Sequence, residues 1–172
     1  VRGPIFDRGW MCFIGWDQIR MTAIEFAEEI LARKAMEGQA VQITDIVMPI
    51  YSPGGMCMGL TSGCEAIRAL REWVDIHTVP DLMCCSAAEA VACQGTYSYT
   101  SRDVERGHMG CFTCHVDISG HLSQEGIQVH YMEEPAGGVK TFFASDKPFS
   151  EEARAEYRRG IEHAYAAYLE QI

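Results

Sequence analysis

Val41-Gln42-Ile43-Thr44-Asp45-Ile46-Val47-Met48 is followed closely by Ser52-Pro53-Gly54-Gly55, and then by a run with Leu60, Cys64, Ile67 and Leu70 at helical spacing. The first segment reads as a buried strand and the second as a turn. The third, over residues 56–73, reads as a helix with one apolar face. The order repeats downstream. Residues 76–85 are strand-like, although Pro80 weakens them, and Ala-rich residues 86–94 read as a helix. Strand, turn and helix in alternation predict a mixed α/β layer fold.

The flanks extend the pattern. Residues 11–16 are short and apolar. Residues 21–37 place Ile24, Ala27, Ile30 and Leu31 on one helical face, and Gly38 ends that helix. Residues 96–101 and 109–116 read as strands around a charged turn. Ile118 to Gly126 reads as a short helix, and Ile127 to Met132 as a strand. From Ser150 onward a long helix carries Tyr157, Ile161, Ala164, Tyr165, Tyr168 and Leu169 as an apolar stripe. Ser150 is its N-cap, and Glu151 and Glu152 sit in the first turn, where acids oppose the helix dipole. A stripe this wide needs a cover, either the domain's own sheet or a neighbouring subunit. No internal repeat, low-complexity tract or domain-scale linker interrupts residues 1–172, which read as one domain.

Composition narrows the function classes. Hydrophobic residues are 48% and charged residues 22% of the chain, an ordinary globular balance. The formal net charge of -10 argues against a nucleic-acid partner, because nothing neutralises phosphates in bulk. No apolar run approaches the roughly 20 residues that span a bilayer. The start at Val1 lacks a basic stretch followed by a long apolar run, so no signal peptide is expected, and a start without Met points to a processed chain from which an upstream membrane anchor could have been removed. The expected location is cytoplasmic. The eight cysteines, Cys12, Cys57, Cys64, Cys84, Cys85, Cys93, Cys111 and Cys114, are expected to be reduced thiols, the buried ones behaving as small hydrophobes.

Three constellations can carry chemistry. Cys111-Phe112-Thr113-Cys114-His115 has the spacing of c-type haem attachment, and the two thiolates with His108, His115 or His121 would also suit zinc. Against this, the run reads as a strand with the two cysteines on opposite faces. Ser52-Pro53-Gly54-Gly55 is either a plain β-to-α turn or a set of exposed N–H groups suited to an oxyanion. Ser86-Ala87-Ala88 starts a helix, where Ser86 is either an N-cap or an exposed nucleophile. A nucleophile needs a base, and the candidates are His77, His115, His130, Lys140 and Lys147. Of these, Lys140 lies in a Gly-rich apolar setting, Ala136 to Phe143, where desolvation would lower its pKa as a general base requires.

The spaced set resembles the signal peptide peptidase A family, and more closely its phage head-maturation and capsid-assembly branch. Ser52-Pro53-Gly54-Gly55 is followed by Gly59-Leu60 and by Ala66-Ile67-Arg68. Ser86-Ala87-Ala88 lies at the family's nucleophile spacing. Gly107 and Gly110 match a Gly-Ser-Ile-Gly turn, and His115-Val116-Asp117-Ile118-Ser119-Gly120 with Leu122 matches a His-Val-Asp-Ile-Ser-Gly helix start. The resemblance spans most of the chain, best from about residue 41 to 126. It implies a ClpP/crotonase-type fold with a long C-terminal helix and a serine endopeptidase with a Ser/Lys dyad. Ser86 would be the nucleophile and Lys140 the general base, with Gly55 and Ala87 N–H groups as the oxyanion hole. It further implies a peptide or protein substrate, a homo-oligomer and no metal or other cofactor. In some members the Lys comes from a neighbouring subunit.

The chain departs from the family pattern at named positions. Leu82 stands in place of Gly, Cys84 and Cys85 in place of an Ala pair, and Glu89 in place of an aromatic. His108 replaces the Ser that helps to hold the Lys, Tyr51 replaces an acidic or Asn residue, and Lys140 falls slightly late. Glu89, one turn after Ser86, is expected to pair with Lys140 and hold it charged. Two other readings follow: a catalytically silent assembly subunit of the same fold, and a haem- or zinc-binding protein through Cys111, Cys114 and His115.

Overall fold

The computed structural model describes residues 5–6, 14–36, 42–136 and 139–172. Cys12, Gly38 and Val41, and with them the expected end of the first helix and start of the first long strand, lie outside the described residues. The chain divides into two compact units, Val1–Gly110 with Ala166–Ile172, and Cys111–Tyr165.

The first unit is mixed α/β with parallel strands. A short pair, β1 (Ile5–Phe6) and β2 (Ile14–Gly15), leads into α1 (Trp16–Ala35). The main sheet holds β3 (Asp45–Ser52), β4 (Asp75–Cys85), β5 (Tyr97–Ser98) and β6 (Glu105–Gly107). β4 is central. It pairs in parallel with β3 on one side and, at separate positions, with β5 and β6. α2 (Leu60–Ala69), a 3-10 turn (Leu70–Glu72) and α3 (Ala87–Ala92) provide the crossovers.

Pro80 does not break β4. β5 pairs at His77 and Thr78 and β6 at Met83 to Cys85, so Pro80 falls in the gap between them. Its missing N–H therefore removes no ladder bond there. Just beyond it the register with β3 jumps from Ile50↔Pro80 to Ser52↔Cys84. This bulge puts Leu82 at φ 57, a conformation that suits Gly better than a branched side chain.

α2 buries Leu60, Cys64 and Ile67 and the following turn buries Leu70, the face read from the sequence. It starts later than expected because Gly59 takes φ 88. In α1 the buried face is Trp16, Ile19, Ala23 and Ile30, whereas Ile24 and Leu31 are each 49% exposed. Trp16 sets that rotation. Its ring is fully buried, its Nε1–H donates to the Met56 carbonyl at 2.9 Å, and a Cβ on Gly63 would meet the ring at 2.3 Å. Only a glycine admits the indole there.

The last residues of the chain belong to this unit. Gln94, 1% exposed, donates to the carbonyls of Ala90 (2.6 Å) and Gln171 (2.8 Å). Arg68 bonds both Gln94 Oε1 (2.8 Å) and Gln171 Oε1 (3.0 Å). The buried Gln94 amide is thus satisfied by two backbone carbonyls and the Arg68 guanidinium, as burial demands.

The second unit contains α4 (Ser119–Gln124) and most of α5 (Glu151–Leu169). Ser150 Oγ accepts the Ala153 N–H at 3.1 Å, the expected N-cap. Tyr157 stands edge-on to Phe143 and Phe149, and Phe149 stacks on His115 at 4.9 Å. The strands expected at 109–116 and 127–132 do not form. Phe112 is 91% and Met132 102% exposed, and neither segment has a pairing strand among the described residues. A strand without a partner leaves its backbone groups unsatisfied by the chain. Conversely, Glu105–Gly107, expected to be a charged turn, is a strand because the end of β4 pairs with it.

Candidate active site

β4 ends at Cys85, and α3 begins at Ala87. Between them Ser86 adopts φ 53 and ψ −123, which a non-glycine residue holds only when its surroundings enforce it. Here they do. The Ser86 N–H donates to the Gly107 carbonyl at 2.8 Å. Its carbonyl accepts the Glu89 N–H at 2.9 Å and the Tyr168 hydroxyl at 3.1 Å. Ser86 occupies the N-cap position of α3, but its hydroxyl makes no capping hydrogen bond to the helix.

The Ser52–Gly55 turn lies against this serine. Gly54 takes φ 100, and its N–H donates to the Ser52 hydroxyl at 3.1 Å. A Cβ on Gly54 would stand 2.6 Å from both Ser86 Cβ and the Cys85 carbonyl oxygen, and 3.0 Å from the Ala87 nitrogen. The absent side chain lets the turn close onto the serine. Ser86, Ala87 and the Gly54-Gly55 turn are therefore brought together, with Gly55 exposed and Ala87 buried.

Lys140 belongs to the other unit. It is exposed and lies in a turn beside Val139, which is also exposed, so its own unit does not supply the apolar enclosure expected around it. Lys147 is engaged: its Nζ donates to Thr141 Oγ1 at 2.6 Å and lies 4.4 Å from the centre of the Tyr131 ring. His77 lies between Asp45 (2.8 Å) and the Tyr99 hydroxyl (3.2 Å).

Glu89 does not fill the role expected of it. It is 2% exposed and is gripped by Arg106, with Nε to Oε1 at 2.9 Å and Nη2 to Oε2 at 2.5 Å. The Gly107 N–H adds a third donor at 3.1 Å. The carboxylate is thus neutralised by a guanidinium from β6, and the hydrogen bond to Glu89 raises the Arg106 pKa further. Through Gly107 this pair also fixes the carbonyl that holds Ser86. Arg106 and Tyr168 were missed in the sequence, where one is a charge in a polar stretch and the other one aromatic of a stripe.

The Cys84 thiol is pushed up to about 12 and that of Cys85 is also raised, both chiefly by burial. Cys64, Cys84, Cys85, Cys93 and Cys114 are free thiols. In the Cys111–His115 run, Cys114 is exposed and the His115 ring packs on Phe149 with Nε2 3.2 Å from the Lys147 carbonyl oxygen. The run is not a strand, and its residues do not converge on a common point as metal ligands would among the described residues. No described helix is long and apolar enough to cross a membrane.

No family model matches the chain. It is 24% identical over 131 residues to the head-tail preconnector protein GP5 of Enterobacteria phage P21, a match covering 76% of this chain and 26% of that protein. The chain thus spans about a quarter of its curated relative. Among solved structures it is similar to the ClpP protease catalytic domain of Plasmodium falciparum, at 17% identity and a TM-score of 0.33, over 62% of this chain and 47% of that one.

Proposed function

We propose that this chain is a serine endopeptidase of the ClpP/crotonase type, acting in phage capsid maturation inside the infected bacterial cell. The observation that carries this reading is the Ser86 turn: a strained backbone between strand and helix, held by three hydrogen bonds, with the hydroxyl left uncapped. Ser86 Oγ attacks the scissile carbonyl. Lys140 takes the serine proton and delivers it to the leaving amine. The Gly55 and Ala87 N–H groups receive the oxyanion, and losing one such donor costs about 10²–10³ in rate. The capsid context rests on the likeness to the phage preconnector protein.

The exposure of Lys140 favours a second reading, an assembly subunit without catalysis. One experiment separates them. A fluorophosphonate probe applied to the full chain should label Ser86. Ser86→Ala and Lys140→Ala should abolish labelling, and Lys147→Ala should retain it. Absence of labelling in a folded wild-type chain selects the assembly subunit. Light scattering should show a closed homo-oligomer rather than a 19.2 kDa monomer. A monomer that still cleaves peptide refutes a site shared between subunits.

A further inference from the structure

In the parallel pair of β4 and β6, Met83 faces Glu105 and Cys85 faces Gly107. Side chains two residues apart on a strand share a face, so Cys85 and Glu105 lie on the same side of the sheet. Cys84 and Arg106 lie on the other, where Arg106 meets Glu89. Gly107 offers no side chain opposite Cys85, and nothing stands within 4 Å of where its Cβ would be. The chain then turns back at His108, with φ 50, which brings the ring to Glu105 at 3.0 Å from Nε2 to Oε1. Ligand atoms of Cys85, Glu105 and His108 all lie within 4.8 Å of one another, the single such trio among the described residues.

We propose that Cys85 Sγ, a Glu105 carboxylate oxygen and a His108 ring nitrogen form a binding site for a divalent cation of the zinc class, independent of whether Ser86 is catalytic. Thiolate, imidazole and carboxylate together are the donor set of borderline ions, whereas magnesium and calcium select oxygen. Tetrahedral zinc bond lengths put neighbouring donors about 3.3–3.6 Å apart, so the Glu105–His108 pair at 3.0 Å opens slightly and the distances to Cys85 Sγ, within 4.8 Å, contract by at most about 1 Å. The Glu105 and His108 side chains are 56% and 67% exposed, which makes rotamer adjustment easy and admits the ion from solvent. On binding, the Cys85 thiol proton passes to solvent, and a water completes the fourth position. The ion would bridge β4 to the residues on either side of Gly107, and so brace the carbonyl that holds Ser86.

Cobalt(II) is the probe, added to the full chain kept reduced with a phosphine. The expected result is equimolar binding with tetrahedral d–d bands and a thiolate-to-cobalt charge-transfer band, all displaced by zinc. Cys85→Ala should abolish the charge-transfer band. His108→Ala, a change at an exposed ring, should weaken binding by more than about 100-fold, beyond what loss of a supporting partner costs, with an unchanged circular dichroism spectrum. If Cys85→Ala does not fold, Glu105→Ala and His108→Ala decide, and unchanged affinity in both overturns the proposal. So does a wild-type chain without a thiolate band, or a band that disappears with Cys111→Ser or Cys114→Ser instead.

Discussion

Replacing Arg106 by Leu removes the guanidinium that neutralises Glu89. The carboxylate, 3% exposed, would keep one donor, the Gly107 N–H. Breaking a buried ion pair from one side typically costs 3–5 kcal/mol, because the remaining charge stays desolvated. The Arg106 side chain is 30% exposed, so water reaches its end of the pair, and the low end of that range applies, about 3 kcal/mol. For a chain of this size that lowers the Tm by roughly 6–12 °C. Thermal and urea unfolding of Arg106→Leu would measure it. The companion is Glu89→Leu with Arg106→Leu. Removing both charges leaves nothing unpaired, so the double variant should recover to within about 1 kcal/mol of wild type. A loss below about 1 kcal/mol in the single variant would falsify the assigned role of the pair. A double variant as unstable as the single one would do so equally.

Gly54→Ala should cost about 2–5 kcal/mol, summing left-handed strain with overpacking against Cys85 and Ser86, and should suppress labelling of Ser86. A cost under about 1 kcal/mol would show that the turn does not close on the serine as described. Alkali should destabilise the fold through Cys64 and Cys84, whose thiols burial pushes up to about 12 from 9.0. Their folded pKa values are raised, so this stability is complete below about pH 9 and is lost as pH climbs towards 12, by about 1.4 kcal/mol per pH unit for each thiol. Urea unfolding of reduced Cys84→Ala across that window should show a slope shallower by that amount, and an unchanged slope refutes the burial of this thiol.

The alternation around residues 41–94 was legible because it is local. Period-3.6 burial of Leu60, Cys64, Ile67 and Leu70, the Gly-Gly turn and the N-cap at Ser150 each depend on residues within a turn or two. Ser86 and the Ser52–Gly55 turn could be singled out for the same reason, as chain features at the ends of strands. What the sequence could not supply were contacts between distant segments. The rotation of α1 follows Trp16 seating against Gly63, so Ile24 and Leu31 face outward despite their hydrophobicity. Glu105–Gly107 is a strand because Met83 to Cys85 pair with it, while the apolar 109–116 and 127–132 segments find no such neighbour. Glu89 was assigned to the wrong cation because Arg106, 17 residues away, reaches it only across the sheet. The hydroxyl of Tyr168, 82 residues from Ser86, reached the Ser86 carbonyl only when the chain end folded back into the first unit. Propensity and periodicity act within a few residues, so the amino-acid order alone determined the strand–turn–helix alternation of residues 41–94 and marked Ser86 at the end of a strand. Side-chain pairing acts through space, so which groups hold that serine in place was decided by the tertiary structure.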